Sequence, residues 1–470
     1  MEKFLFILGK NWRLSIAEID SYLQQPAFRG RITDYSSNVA IIEFERPEIS
    51  LEQISKMMVL LGGVQKIGKM IDFIDRQTFE DAFPTDIENN RAGVYAGRRY
   101  LDNTLKDLIY QLFPEPTGKK VFFANSIHPE SFDTPYYKIL IKHFLQYLNK
   151  FLNVNLKEKG AKSAIYYKYP QKNIDEGTLN PIFPHNFIAY RLYEPYRAEI
   201  LYCLTEDGMY FGQTWTVTDS NYHKKLDEER PYHEFQETIP PKFAKTLLSL
   251  LNLPPPLSHR KILDPFCGAG TILQFALVQD LQIYGSDIDP KQIESTKGNI
   301  GFTMKLHLGE TDNKYIDEHI IQSDIRDLHT KHNPESFDGI ATEPFILPFY
   351  KEAPDNSEAD KIVKENVVPV YQELAKQAFF LLKPGARMAV VAPIIITQQK
   401  KRINIMLQTI AEEAGFKTIQ LLDPSRIADK TSETMKTERT GTKSLYDAGS
   451  KRIMREFFLF QKPSSKKHNR

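Results

Sequence analysis

A chain of 470 residues exceeds one ordinary core, so two or three domains are expected. Hydrophobic residues at 41% and charged residues at 26% exclude an intrinsically disordered chain, and no apolar run approaches the roughly 18 residues of a membrane span. The N-terminus has no small-residue cleavage site, and two cysteines in unlike contexts, Cys203 and Cys267, point to a reduced, cytoplasmic protein without disulfides or a cysteine-built zinc site.

No internal repeat or long low-complexity segment is present. In residues 1–60, FLFILG is strand-like, Ser15 can cap a helix over IAEIDSYLQQ, and NVAIIEFE is strand-like again, which fits a ferredoxin-like part. In the next part, 61–217, VFFANSI reads as a strand. Thr134 and Pro135 can open a helix whose Ile141, Phe144, Leu145, Leu148, Phe151 and Leu152 recur at helical spacing, as core positions do. AEILYCLT and MYFGQTWTV are two more strands. Residues 218–237 are polar and irregular and read as a linker, with His223 and His233 expected to face solvent. A helix opens at Thr238-Ile239-Pro240-Pro241, and Pro254-Pro255-Pro256 stops it.

From Arg260 the texture changes. KILD, IYGSD, IIQSD, FDGIAT and ARMAVVAPII are short apolar strands separated by helical segments, the signature of a parallel, doubly wound sheet over 238–470. Residues 429–451 read as a loop, EFFLFQK as a last strand, and the tail is basic.

Net charge is +1, from 61 basic and 60 acidic residues, so charge informs only where it is local. Residues 138–172 hold eight lysines, among them Lys138, Lys142, Lys150, Lys162 and Lys168, against one acid, Glu158. Tyr147, Tyr166, Tyr167 and Tyr169 are interleaved with them. Phosphates attract such charge and unpaired bases stack on such rings, so nucleic-acid contact is expected; the bland alternative is a solvated helix face.

The strongest local signal is Asp264-Pro265-Phe266-Cys267-Gly268-Ala269-Gly270-Thr271, which ends a strand and opens a helix. Glycines there let the backbone approach a ligand, and the strand-end carboxylate can bind a cationic group. Asp287 follows Gly268 by 19 residues at the end of IYGSD, where an acid can hold ribose hydroxyls; Asp324 ends IIQSD, where it can accept from an adenine amino group. The GxGxxG turn of dinucleotide sites and the GxxxxGK[ST] loop of nucleotide triphosphatases are both absent. Cys267 has no histidine near it in sequence and reads as a small buried thiol.

DPFCGAGT followed by GSDID resembles the S-adenosylmethionine site of class I methyltransferases, closest to the branch that modifies exocyclic amines in RNA. The resemblance implies cofactor contacts from Asp264, Pro265, Gly268, Gly270, Asp287, Ile288, Asp324 and Ile325. Upstream, YFGQTWTVTDSNYHKKLDEERPY is similar to the stretch joining a THUMP domain to its methyltransferase domain, with Tyr222 and Arg230-Pro231 in place. FLFILGKNWRLSIAEI is similar to the N-terminal domain of tRNA guanosine-10 N2-methyltransferases. The implied fold class is α/β: a Rossmann-like methyltransferase domain behind an N-terminal α+β module (ferredoxin-like plus THUMP) that binds tRNA. The lysines above and Arg230 are its expected RNA contacts.

In amino-methyltransferases the strand after the adenine-binding acid ends in Asp/Asn-Pro-Pro-Tyr/Phe. A side-chain oxygen and a backbone carbonyl there accept the two N–H groups of the base amine, whose delocalised lone pair makes it a poor nucleophile. Here the loop is Thr342-Glu343-Pro344-Phe345. The second acceptor is then the Thr342 hydroxyl or the Glu343 carboxylate, and Phe345 stacks on the base. The expectation is a monomeric tRNA N-methyltransferase that uses S-adenosylmethionine and no metal, with need for a small activating subunit left open. The alternatives are an RNA-binding protein that retains the cofactor without turnover, and an amine methyltransferase of DNA or protein.

Overall fold

The computed structural model describes residues 2–45, 49–85, 87, 97–131, 136–168, 182–233, 238–344, 352–428, 430, 443–447 and 453–464. Two sheets carry the chain. The first contains β1 (Lys3–Leu8), β2 (Gly30–Tyr35), β3 (Val39–Phe44), β4 (Val64–Asp75), β5 (Lys120–His128), β6 (Ser163–Tyr166), β7 (Arg197–Leu204) and β8 (Gly208–Val217). Their order is β2-β3-β1-β4-β8-β7-β5-β6. β4 pairs antiparallel with both β1 and β8, so the strands from Lys3 to Val217 share one continuous sheet.

The second sheet contains β9 (Lys261–Asp264), β10 (Gln282–Asp287), β11 (Ile320–Gln322), β12 (Phe337–Thr342), β13 (Leu382–Ile396), β14 (Arg402–Ile403), β15 (Lys417–Thr418), β16 (Ser444–Asp447) and β17 (Ile453–Gln461). The path β11-β10-β9-β12-β13 is parallel, and β17 inserts antiparallel between β13 and β15. Helices cover both faces, which is why these strands read as near-continuous apolar runs. Every residue of the helix Thr271–Val278 is buried.

One hydrophobic core joins the two sheets, from Phe4 and Ile19 through Phe243 and Leu247 to Phe457. The helix Pro241–Leu250 lies at its centre. Lys245 Nζ donates to the Met58 carbonyl at 3.2 Å and Ser249 Oγ to that of Leu60 at 3.2 Å, which ties this helix to the first sheet's side. The Glu18 carboxylate accepts from the backbone N–H of Gly62 and Gly63, at 2.6 and 2.8 Å.

Local differences from the sequence reading have identifiable causes. Ser15 is not a cap: the helix begins at Trp12, and Ser15 Oγ donates to the Gly63 carbonyl at 2.8 Å. Residues 220–228 are a helix rather than irregular linker, opened by Asp219, whose carboxylate accepts from the N–H groups of Asn221 and Tyr222. Its one buried apolar residue, Leu226, is too little pattern to find it by period. His223 is half-buried rather than solvent-facing; its ring meets Phe275 edge-on, and burial lowers its pKa to about 4. Within the expected loop 429–451, Ser444–Asp447 is a strand paired with β17. The cap at Thr134-Pro135 lies outside the described residues.

Candidate functional site

The carboxyl ends of the parallel strands are where ligands bind in such sheets. Asp264 ends β9, Asp287 ends β10, Asp324 follows β11, and Glu343 follows β12. All four line one cavity of about 600 Å³, together with Pro265, Gly268, Ile288 and Ile325.

The turn after β9 is shaped by two glycines in the left-handed region, Gly268 at φ 52° and Gly270 at φ 85°. A β-carbon on Gly270 would lie 3.0 Å from Thr296 Cγ2, so the turn packs closely on the helix Pro290–Leu308. Gly268 N–H donates to Asp287 Oδ2 at 3.1 Å, which locks the turn to the end of β10. Asp287 Oδ1 accepts from Asp289 N–H at 3.0 Å. Burial raises the Asp287 pKa, and these two backbone donors pull it back.

Asp264 is 2% exposed. Its Oδ1 accepts from Thr342 Oγ1 at 2.6 Å and from Phe266 N–H at 3.2 Å. Burial lifts its pKa to about 7; the Thr342 and Phe266 donors oppose the rise, and the charges of Asp287 and Glu343 add to it. Asp324 is held low, its carboxylate gripped by Arg326 through Nη2 at 2.5 Å and Nε at 3.0 Å. Cys267 is a buried thiol pushed far up by burial, as its sequence context suggested.

Four expected site residues need correction or qualification. Thr342 was expected to accept from the substrate amine, but it is fully buried and its hydroxyl donates to Asp264 across the β9–β12 gap. Strand alternation turns it under the cavity and leaves Glu343 on the wall. Arg230, expected on RNA, is 4% exposed; its Nη1 donates to Thr271 Oγ1 at 2.7 Å and Gln274 Oε1 at 3.0 Å, fastening the segment between β8 and β9 to the helix behind the glycine turn. Pro344 is buried, and Phe345 lies outside the described residues.

Lys138, Lys142, Lys150, Lys162 and Lys168 are all exposed. The rings between them are not a free platform: Tyr147 meets Phe83 and Phe151, Tyr166 meets Phe123, and Tyr167 stacks on Tyr190. Sequence reasoning missed Gln292, Ser323, Pro369, Val370 and Glu373, which also line the cavity, and Arg455 of β17, which pairs with Glu343. None of these sits in a motif; only the fold brings them to the strand ends.

The walls suit S-adenosylmethionine. Carboxylates face a ligand that carries a sulfonium and an ammonium, glycine backbone can meet its carboxylate, and Phe266, Ile288 and Ile325 offer apolar surface to its adenine. Among the described residues, no cluster of His, Cys, Asp or Glu is placed to hold a metal, and no helix is long and apolar enough to cross a membrane.

A family model described as DNA methylase (N6_N4_Mtase) matches residues 116–298, less than half of the chain. The chain is 28% identical over 177 residues to the tRNA (guanine(10)-N2)-dimethyltransferase of Methanothermobacter thermautotrophicus, covering 38% of this chain and 45% of that protein. It is 31% identical over 87 residues to the type II methyltransferase M.MvaI of Kocuria varians, covering 18% and 17%. The matches thus span less than half of either relative's length. A solved structure described as a possible methylase from Clostridium difficile 630 aligns over 99% of this chain and 98% of that chain at 15% identity, with a TM-score of 0.42. The chain is similar, over part of its length, to methyltransferases, and S-adenosylmethionine is the cofactor its cavity fits.

Proposed function

We propose that the protein is an S-adenosylmethionine-dependent RNA methyltransferase acting on an exocyclic base amine, with N2 of a tRNA guanosine as the target. The observation that carries this reading is the convergence of Asp264, Asp287, Asp324 and Glu343 on one cavity beside the glycine turn. The similarity to a tRNA guanine-N2 dimethyltransferase supports the choice of substrate.

When bound, S-adenosylmethionine supplies a methyl group on a sulfonium, which leaves the sulfur as a thioether retaining the C–S electron pair. The protein's part is placement and charge. Asp264 and the glycine turn take the methionine end, Asp287 the ribose, and Asp324 with Ile325 the adenine. Glu343 accepts an N–H of the substrate amine, orients its lone pair toward the methyl carbon, and takes the proton that the methylated nitrogen gives up. Phe345 stacks on the base in this reading. The exposed lysines of the first module, read here as a THUMP-like tRNA grip behind a ferredoxin-like part, meet phosphates.

The test is methyl transfer from radiolabelled S-adenosylmethionine to unmodified tRNA, followed by digestion to nucleosides. Labelled N2-methylguanosine supports the reading; cofactor binding without any labelled nucleoside removes it. The DNA methylase family match favours a second reading, amine methylation in DNA, and label in duplex DNA rather than tRNA would select it.

A further inference from the structure

Glu343 stands directly after β12, with its side chain 19% exposed. The two oxygens of its carboxylate have different surroundings. Oε1 accepts from Arg455 Nε at 2.6 Å. Oε2 is buried and has no hydrogen-bond partner, although Glu343 lines the cavity. Buried acceptors without donors are uncommon and costly, and they mark places where a missing group completes the site. Arg455 comes from β17, where it lies opposite Pro393 of β13, so the antiparallel insertion of this strand delivers the guanidinium to the strand ends.

We propose that Arg455 is the positioning residue of the transfer site: by holding Oε1 it fixes the Glu343 carboxylate and leaves Oε2 as the single side-chain acceptor offered to the substrate amine. This rests on the transferase reading above and deepens it. A carboxylate oxygen accepts and donates nothing, so the atom it meets must carry a hydrogen. The site therefore takes a neutral amine with an N–H directed at Oε2 and disfavours a bare ring nitrogen or carbonyl at that point. A carboxamide there would lack this discrimination, because it can turn either its oxygen or its NH₂ group to the base.

The charged and titratable groups around Glu343 come from three further elements: Arg455 on β17, Asp264 at the end of β9, and Tyr371 in the helix Val368–Leu381. Tyr371 is committed elsewhere, its hydroxyl donating to the Val391 carbonyl at 2.7 Å. Burial raises the Glu343 pKa and Arg455 is the counterweight. Removing the guanidinium therefore moves protonation of Glu343 to higher pH.

The experiment compares full-length wild type with Arg455→Met and Arg455→Lys by two readouts. The first is the infrared band of the protonated Glu343 carboxyl against pH, assigned by difference from Glu343→Gln. The second is the pH profile of methyl transfer to unmodified tRNA, with S-adenosylhomocysteine binding and thermal melting as controls for folding. Arg455→Met should raise the pH at which the carboxyl protonates by about one to three units, the range by which a neighbouring guanidinium shifts a carboxylate. The acidic limb of the profile should move by the same amount, with cofactor affinity unchanged, and Arg455→Lys should keep most of the wild-type position. If Arg455→Met fails to fold, Arg455→Lys against wild type carries the comparison through a smaller shift in the same direction. A carboxyl titration that stays put overturns the inference. So does an activity loss uniform across pH, which is the mark of a merely structural residue. A wild type that moves no methyl group overturns the transferase reading, and the infrared titration, which needs no turnover, then judges the hold of Arg455 on Glu343 by itself.

Discussion

Lys430, in the segment after β15, and Asp34 of β2 form an ion pair, with side chains 2% and 1% exposed. Asp34 Oδ2 also accepts from Thr205 Oγ1 at 2.6 Å, and Lys430 Nζ lies 3.3 Å from Asp207. Next to it, Ile427 bridges to Ile32 of β2, so the segment after β15 closes over the edge of the first sheet. Burial raises the Asp34 pKa and Lys430 opposes the rise. Removing one partner of such a pair leaves an uncompensated buried charge. Lys430→Met should cost about 3–5 kcal/mol, and the double variant with Asp34→Asn should recover part of that. Urea unfolding followed by the fluorescence of Trp12, which stacks on Tyr35, reads the effect. A change under 1 kcal/mol would mean that the pair is not buried in solution (the cost of an exposed pair is about that size).

The two glycines of the turn should fail differently. Gly270 does not line the cavity but packs on Thr296, so Gly270→Ala combines the roughly 1–2 kcal/mol cost of a left-handed non-glycine residue with a clash. Gly268 faces the cavity, and a β-carbon there would meet nothing in the protein nearer than Gln292 Oε1 at 3.9 Å. Gly270→Ala should lower the melting temperature more. Gly268→Ala should weaken S-adenosylhomocysteine binding more, by about tenfold or greater, equivalent to about 1.4 kcal/mol. Melting and calorimetric titration on both variants decide it; the reverse ranking would remove the backbone of residue 268 from the cofactor site.

Asp264 should make cofactor binding depend on pH. Its folded pKa, about 7, lies above the ordinary 3.8, so the folded protein holds a proton that the unfolded chain releases. That contribution to stability is fully present below about pH 4 and is lost as pH rises through about 7. A cationic ligand prefers the ionised carboxylate, so affinity for S-adenosylmethionine should rise between pH 6 and 8, with a proton released on binding. Calorimetry in buffers of different ionisation enthalpy measures that proton, and Asp264→Asn should abolish it. Equal heats in all buffers at pH 6 would show that Asp264 does not titrate on binding.

The second sheet was legible because its strands are buried on both faces, so KILD, IYGSD, FDGIAT and ARMAVVAPII stand out as apolar runs ending in acids or loops. Asp264, Asp287 and Asp324 could be placed at strand ends from spacing alone, since strand, turn and helix follow one another locally. Glu343 and Thr342 could not be told apart. Both carry acceptor oxygens, and which one faces the cavity depends on the pleat at the last residue of β12. Arg455 and Lys430 were invisible for another reason: their partners are 112 and 396 positions away, and no local pattern encodes a long-range ion pair. Arg230 misled because an arginine in a polar stretch looks solvated, and its burial depends on Thr271 and Gln274, which the helix after the glycine turn supplies.

That contrast separates expected nucleic-acid contacts from structural ones. Lys142 and Lys150 are exposed on the helical stretch after residue 136, whereas Arg230 is buried at the joint between the modules. If the lysines meet phosphate, Lys142→Ala with Lys150→Ala should weaken tRNA binding and reduce the slope of log affinity against log salt by about one per lysine removed. Melting temperature should hardly change, because neither side chain is buried. Arg230→Met should do the opposite. It strips donors from Thr271 and Gln274 and should cost about 1–3 kcal/mol of stability, the penalty for buried polar groups left without partners, while leaving the salt slope alone. Filter binding of tRNA across a salt series, with melting curves on the same preparations, tests both. An unchanged slope in the lysine variant would assign that face to solvent and send the search for the tRNA contact to another surface of the first module.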